Sequence, residues 1–196
     1  MNILHIDSSV TGDQSVSRQL TARILESLRA GHPGATITYR DLANQPLPHH
    51  RLKHETDTDR AATQETLEEF LDADVVVVGA PMYNFAIPSQ LKAWIDAVLI
   101  AGKTFSYTEN GPQGLAGDKR VIVASSRGGV YSIGPSAAMD HQETYLAGVF
   151  GFIGIRDVEF VRAEGVAMGA DARQRGIASA LDHADTLARP HAMGTA

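Results

Sequence analysis

Short apolar runs of strand length alternate along this chain with segments in which apolar side chains return every three or four residues. The runs predict strands over Asn2 to Ile6, Ala35 to Tyr39, Asp74 to Gly79, Lys119 to Ala124 and Asp157 to Val161. The helical spacings predict helices near Ser17 to Leu28, Thr63 to Leu71, Ser89 to Ile100, Ala137 to Val149 and Ala172 to Ala188, the last stopping before Pro190. Thr104 to Gly114 carries Gly111-Pro112 turn chemistry and reads as a short excursion between a helix and a strand.

Strands such as Val75-Val76-Val77-Val78 are apolar on both faces, which fits a parallel sheet covered by helices on each side. Right-handed crossovers then give a three-layer, doubly wound α/β fold of flavodoxin-like type, its five parallel strands in the order 2-1-3-4-5. In such a sheet a ligand sits at the carboxyl ends of the first, third and fourth strands. A length of 196 residues with 43% hydrophobic and 20% charged positions fits a single domain spanning 1–196, with 190–196 as a flexible tail. No apolar stretch reaches the roughly 18 residues of a membrane helix, so a cytoplasmic protein without a leader is expected. A net charge of −6 gives no basic footprint for nucleic acid, and the lack of cysteine removes thiolate chemistry.

Three connections carry the candidate chemistry. After the first strand comes Asp7-Ser8-Ser9-Val10-Thr11-Gly12-Asp13-Gln14-Ser15-Val16-Ser17-Arg18, a hydroxyl-rich loop running into a helix start. Unpaired amides and serine hydroxyls there suit a phosphate, although Ser15 or Ser17 could equally cap the helix. The loop is neither a Gly-x-Gly-x-x-Gly nor a Walker lysine loop, which leaves a mononucleotide phosphate as the ligand.

After the third strand, Pro81 and Pro88 bracket Met82-Tyr83-Asn84-Phe85, a stiff corner able to wall a flat heteroaromatic ring or simply to plug the sheet end. The helix that follows packs Leu91, Trp94, Ile95, Val98 and Leu99 inward, so Trp94 is expected in the core. After the fourth strand, Ser126-Arg127-Gly128-Gly129 offers backbone N–H groups at close approach, or a plain turn with Arg127 solvated.

These residues together resemble the FMN-dependent NADH-azoreductase and NADH:quinone oxidoreductase family. The resemblance is carried by Pro81 to Asp96, Ala101 to Leu115, Ser126 to Gly129, Phe152-Ile153-Gly154-Ile155 and Ala163-Glu164-Gly165. It implies FMN as bound cofactor and NADH as electron donor. The phosphate would lie on Ser9, Ser15, Val16 and Ser17, the ring against Met82, Tyr83, Asn84 and Phe85, and its pyrimidine side on Ser126, Arg127, Gly128 and Gly129. It also implies a homodimer with the active site at the subunit interface, and small aromatic acceptors, azo compounds and quinones. Asn84, Tyr107, Tyr131, Phe150 and Phe152 are the expected contacts to substrate or cover for the flavin. Two departures bear on the acceptor: the Pro48 to Arg60 segment is shorter than in relatives, and Val130-Tyr131 follows the paired glycines where some relatives carry histidine.

The implied reaction is ping-pong hydride transfer on the flavin, with no essential catalytic side chain. An FMN electron-carrier module is the alternative. A serine hydrolase at Ser8-Ser9 lacks a partner motif, Asp182-His183 reading as the exposed side of a helix whose inner face is Ile177, Leu181, Ala184 and Ala188. His49, His50 and His54 fall in a proline-rich loop without a third-ligand pattern, so no metal is expected.

Overall fold

The computed structural model describes residues 1–49 and 56–187. His50, His54, Ala188 and the tail 190–196 lie outside the described residues. In chain order the elements are β1 (Asn2–Asp7), α1 (Val16–Gly31), β2 (Thr36–Asp41), α2 (Asp57–Asp72), β3 (Val75–Pro81), α3 (Ser89–Val98), β4 (Phe105–Thr108), β5 (Gly111–Gly114), β6 (Arg120–Ser126), α4 (Glu143–Phe152), β7 (Asp157–Ala163) and α5 (Ala170–Thr186). Short 3₁₀ turns cover Gly12–Gln14 and Pro135–Met139.

The main sheet runs β2-β1-β3-β6-β7 with every neighbour parallel. With β4 and β5 set aside, this is the expected 2-1-3-4-5 order. Every residue of β3 is buried, because the sheet is covered on both faces. On one side Val76 and Val78 meet Leu91, Trp94, Phe70, Leu146 and Phe150. On the other, Val75 and Val77 meet Leu20, Ile24, Ile122, Ala180 and Ala184. Trp94 is fully buried, as its helical phase requires, and stands edge-on to Phe70 with centroids 5.8 Å apart.

Three segments differ from the expected boundaries. The Thr104 to Gly114 excursion is an antiparallel hairpin pairing Phe105 with Gly114 and Tyr107 with Pro112. Helix α2 starts at Asp57 and not Thr63, fixed by a capping box in which Thr56 and Asp59 satisfy each other's backbone N–H groups. Its first turns lack an apolar stripe, so periodicity alone starts it too late. The stretch expected as one helix from Ala137 is instead a 3₁₀ turn followed by α4. Asp140 Oδ1 accepts the amides of Gln142 and Glu143 at 3.0 Å each, which ends the first turn and starts the second.

Helix α5 rests on the end of β7 through a glycine. A Cβ at Gly176 would lie 2.2 Å from the carbonyl oxygen of Glu164, too close for any side chain. Gly176→Ala should therefore lower stability by about 1–3 kcal/mol, the usual range for overpacking, read as a lower urea midpoint with unchanged slope. Gly148, in the middle of α4, has nothing within 4 Å of a Cβ. Gly148→Ala should leave the midpoint unchanged or raise it.

Candidate functional site

A cleft of about 370 Å³ opens at the carboxyl ends of β1, β3 and β6. One wall comes from the β1–α1 connection, through Ser9, Thr11, Gln14, Ser15 and Val16. Pro81, Met82 and Tyr83 supply the second, and Ser126 and Gly128 the third. Val166, from the β7–α5 connection, and Arg173, from the first turn of α5, complete the lining. That fourth contribution is not among the sequence-predicted residues, because it comes from beyond the edge strand β7 and not from the three loops next to the switch point.

The first wall is a helix start. Ser15 is the N-cap of α1, its hydroxyl accepting the Arg18 amide at 3.2 Å and lying 3.1 Å from the Ser17 hydroxyl. Capping and an anion cradle are compatible here, because the Val16 and Ser17 amides still have no carbonyl four residues earlier in the helix to bond. The loop is braced from behind. Arg18 donates to the Ser9 carbonyl at 2.9 Å and to both oxygens of Asp41 at 2.8 and 2.9 Å, with Asp7 at 3.5 Å. Thr21 donates to Asp7 at 2.9 Å, and Ser8 to the Gly79 carbonyl at 2.6 Å. Gly79 leaves room for this, since a Cβ there would stand 2.6 Å from Asp7 Oδ1. The hydrogen bond from Arg18 holds the Asp41 carboxyl down at about 2, and Asp41 in turn pushes the Arg18 guanidinium further up.

The second wall is a tight reversal. Tyr83 and Ala86 exchange backbone hydrogen bonds at 2.9 and 3.1 Å, and Asn84 and Phe85 between them take φ of 48° and 71°. Two consecutive non-glycine residues in the left-handed region cost about 1–3 kcal/mol each, a strain found where function demands the geometry. Neighbours enforce it. The Tyr83 hydroxyl lies 3.2 Å from Ser9 Oγ and accepts the Val10 amide at 3.2 Å, the Met82 amide donates to the Ser126 carbonyl at 2.8 Å, and the Phe85 carbonyl accepts the His141 amide at 3.0 Å. Asn84 and Phe85 remain exposed, with Tyr131 edge-on to Phe85 at 6.1 Å.

In the third wall the carbonyls of Arg127, Gly128 and Gly129 accept the amides of Val166, Ala167 and Gly165 at 2.9 to 3.1 Å. The amides of Gly128 and Gly129 have no backbone acceptor among the described residues. The reading of a plain turn with a solvated arginine is corrected, since the Arg127 guanidinium does not meet solvent. It is 0% exposed and paired with Asp140 at 2.9 Å, Glu143 at 2.7 Å and Glu164 at 3.1 Å, while Nε donates to Gln142 Oε1 at 2.9 Å. A buried guanidinium needs such partners, so only its backbone is left to border the site. Glu164 also accepts the amides of Tyr131 and Ser132 at 2.8 and 2.9 Å. Burial pushes its carboxyl up, but the hydrogen bonds from Ser132, Tyr131 and Arg127 outweigh that and hold it below the ordinary value.

The remaining sequence-predicted residues are scattered. Ser17 is buried beside Ser15. Tyr107 is 75% exposed on the hairpin, and Phe152, at 37%, packs on Phe105 with centroids 4.9 Å apart. Phe150 is 1% exposed and belongs to the core beneath α4, so its expected role as a substrate contact or flavin cover is corrected. Two residues apart on a helix, it and Phe152 point to different sides. Ser8 and Ser9 bond to carbonyl and hydroxyl oxygens, and the His183 imidazole lies 2.9 Å from Glu159, so neither serine bonds a histidine among the described residues.

The family model described as flavodoxin-like fold matches residues 1–188. An FMN-dependent NADH:quinone oxidoreductase of Rhizobium meliloti (strain 1021) is 57% identical over 192 residues, covering 92% of this chain and 93% of that protein. The crystal structure of azoreductase from Bacillus anthracis str. Sterne superposes with a TM-score of 0.88 at 33% identity, over 96% of this chain and 98% of that one. An FMN-dependent NADH-azoreductase from Bacillus anthracis str. Ames Ancestor, solved in complex with FMN, superposes with a TM-score of 0.84 at 27% identity, over 96% of this chain and 100% of that one.

The brace behind the first wall can be tested without a ligand. Asp41 titrates at about 2 in the folded protein against an ordinary 3.8. Its contribution to stability is therefore complete above the ordinary value and disappears as pH falls through about 4 towards 2. Arg18→Met should lower the urea midpoint at neutral pH and flatten its fall on acidification. Equal midpoints, with equal acid dependence, would show that the ion pair holds nothing.

Proposed function

This chain belongs to the flavodoxin-like family of FMN-dependent NADH:quinone oxidoreductases and azoreductases, and from that premise we propose a ping-pong cycle in which NADH and then a quinone or azo compound occupy the same open face of the cleft. The observation that carries this reading is the convergence of three features at one sheet edge. These are free helix-start amides among hydroxyls, a strained aromatic corner, and paired glycine amides.

The residues present fit the mononucleotide. The amides of Val16 and Ser17 and the hydroxyls of Ser9, Ser15 and Ser17 offer neutral donors to a phosphate at the positive end of α1. Met82 and Tyr83 line the cleft and offer a wall for a flat ring, continued by the exposed Asn84 and Phe85 of the same reversal, and the amides of Gly128 and Gly129, without a backbone acceptor among the described residues, offer donors to its pyrimidine edge. FMN held there would supply the two-electron redox chemistry between a nicotinamide donor and the acceptor. The protein's share is orientation and charge: glycine amides held in place by the bonds their own carbonyls accept would offer preset donors to negative charge on a pyrimidine edge. No side chain is assigned as nucleophile. Protons would come from water or from Tyr131, whose ring stands edge-on to Phe85. Cleaving an azo bond to two amines takes four electrons and hence two cycles, whereas a quinone takes one.

We assign the exposed Tyr107 and Phe152 to an interface between two copies, in which aromatic residues of one protomer cover the cleft of the other. Their exposure, with both rings packed against Phe105 in one aromatic patch, supports this reading.

Anaerobic NADH should bleach the yellow holoprotein and menadione should restore the colour with no second protein present. Double-reciprocal plots at several quinone concentrations should be parallel. A requirement for a protein partner would support an electron carrier, and intersecting lines would exclude the alternating occupancy. Tyr107→Ala should raise KM for the quinone several-fold while leaving FMN affinity unchanged, as loss of a covering contact at low intrinsic binding energy predicts.

A further inference from the structure

Among the described residues lining the cleft, Arg173 is the one that carries a charge. The arginine nearest the cradle in sequence, Arg18, is committed behind the loop to Asp41, and Arg127 is enclosed by carboxylates. Arg173 is different: it is exposed, forms no ion pair with the described residues, and makes one long contact, from Nη1 to the Val166 carbonyl at 3.4 Å. A guanidinium has five donors, so nearly all of its hydrogen-bonding capacity is free.

Its height above the cradle follows from helix geometry. Helices α1 and α5 pack on the same face of the sheet, and both follow strands that run in the same direction. They are clamped together where Arg23 bonds both oxygens of Asp185, at 2.5 and 2.8 Å. Measured back from that clamp at 1.5 Å per residue, the α1 N-cap at Ser15 lies about 12 Å away and Arg173 about 18 Å. The first turn of α5 thus stands about one helical turn beyond the start of α1, beside the space into which the Val16 and Ser17 amides point.

We propose that Arg173 is a phosphate-binding residue, closing its guanidinium over the terminal phosphate of the mononucleotide from the side opposite the Ser9 loop. This deepens the cofactor reading given above and rests on it. The cradle of α1 offers amides and hydroxyls, all neutral, to a group that carries nearly two negative charges. A guanidinium swung a few ångströms from Val166 supplies charge-assisted hydrogen bonds that a neutral cradle lacks. The weak contact to Val166 is the resting position of that arm.

The test compares FMN with riboflavin, which has the same ring and no phosphate, by quenching of flavin fluorescence on the apoprotein. Arg173→Gln should weaken FMN binding about tenfold, the scale of one charged hydrogen bond, and leave riboflavin binding within a factor of two. The variant's FMN affinity should also depend less on ionic strength than the parent's, and Arg173→Lys should restore part of the loss. Unchanged FMN affinity in Arg173→Gln would overturn the proposal. So would an equal loss for riboflavin, which would mark a packing effect, or an effect confined to KM for NADH, which would assign the cation to the dinucleotide. Failure of the parent protein to bind FMN would overturn the cofactor reading itself and this proposal with it, a result distinct from the other three.

Discussion

The site depends on one constraint, the burial of β3 on both faces. A strand whose residues are all buried must lie at the centre of a covered sheet, and the connections on either side must then return over the top or bottom layer. In the order β2-β1-β3-β6-β7 the direction of strand addition switches between β1 and β3, so that the loops after β1, β3 and β6 line one cleft at the carboxyl ends of the strands. Trp94, Phe70 and Leu91 on one face, with Leu20 and Ile24 on the other, hold that arrangement through apolar burial, alongside the hydrogen-bonded pairing of β3 with β1 and β6. The polar loops above can therefore be shaped by what they bind.

Each wall is positioned by groups that never enter the cleft. Arg18 fixes the first wall through the Ser9 carbonyl and Asp41, and Tyr83 ties the second to the first. Arg127 and Glu164 join the third to the start of α4 and the end of β7. Buried charges of this kind contribute little net stability compared with apolar residues of the same shape, but removing one partner leaves the other unpaired at a high penalty. They fix geometry more than they raise stability. The left-handed Asn84 and Phe85 are strain retained at the same place, held by hydrogen bonds from three other segments.

The architecture was legible because its signals are local. Four valines in a row, prolines at 81 and 88 and the helical phase of Trp94 each point to one local structure, and the alternation of five strands with helices fits the doubly wound order that the sheet has. The candidate walls were legible for the same reason, as hydroxyl, aromatic and glycine clusters next to strand ends. What could not be read depended on pairings across the chain. Arg127 finds Glu164 at a separation of 37 residues, and nothing near it in sequence separates a buried arginine from a solvated one. Arg173 lies on a polar helix start that looks like any surface turn until α1 and α5 are set side by side. Phe150 and Phe152 differ only in helical phase, and α4's start was displaced by the local turn at Asp140. The start of α2 and the β4–β5 hairpin are set by capping and turn chemistry, which hydrophobic periodicity does not register.

The account's central claim concerns where a flavin mononucleotide lies, and a crystal structure of the protein grown with excess FMN tests it directly. Electron density should place the phosphate within hydrogen-bonding distance of the Val16 and Ser17 amides, and the ring against Met82 to Phe85 with Asn84 and Phe85 still at positive φ. A cleft closed by the protein's own side chains, or a ring bound anywhere but at the ends of β1, β3 and β6, would contradict it.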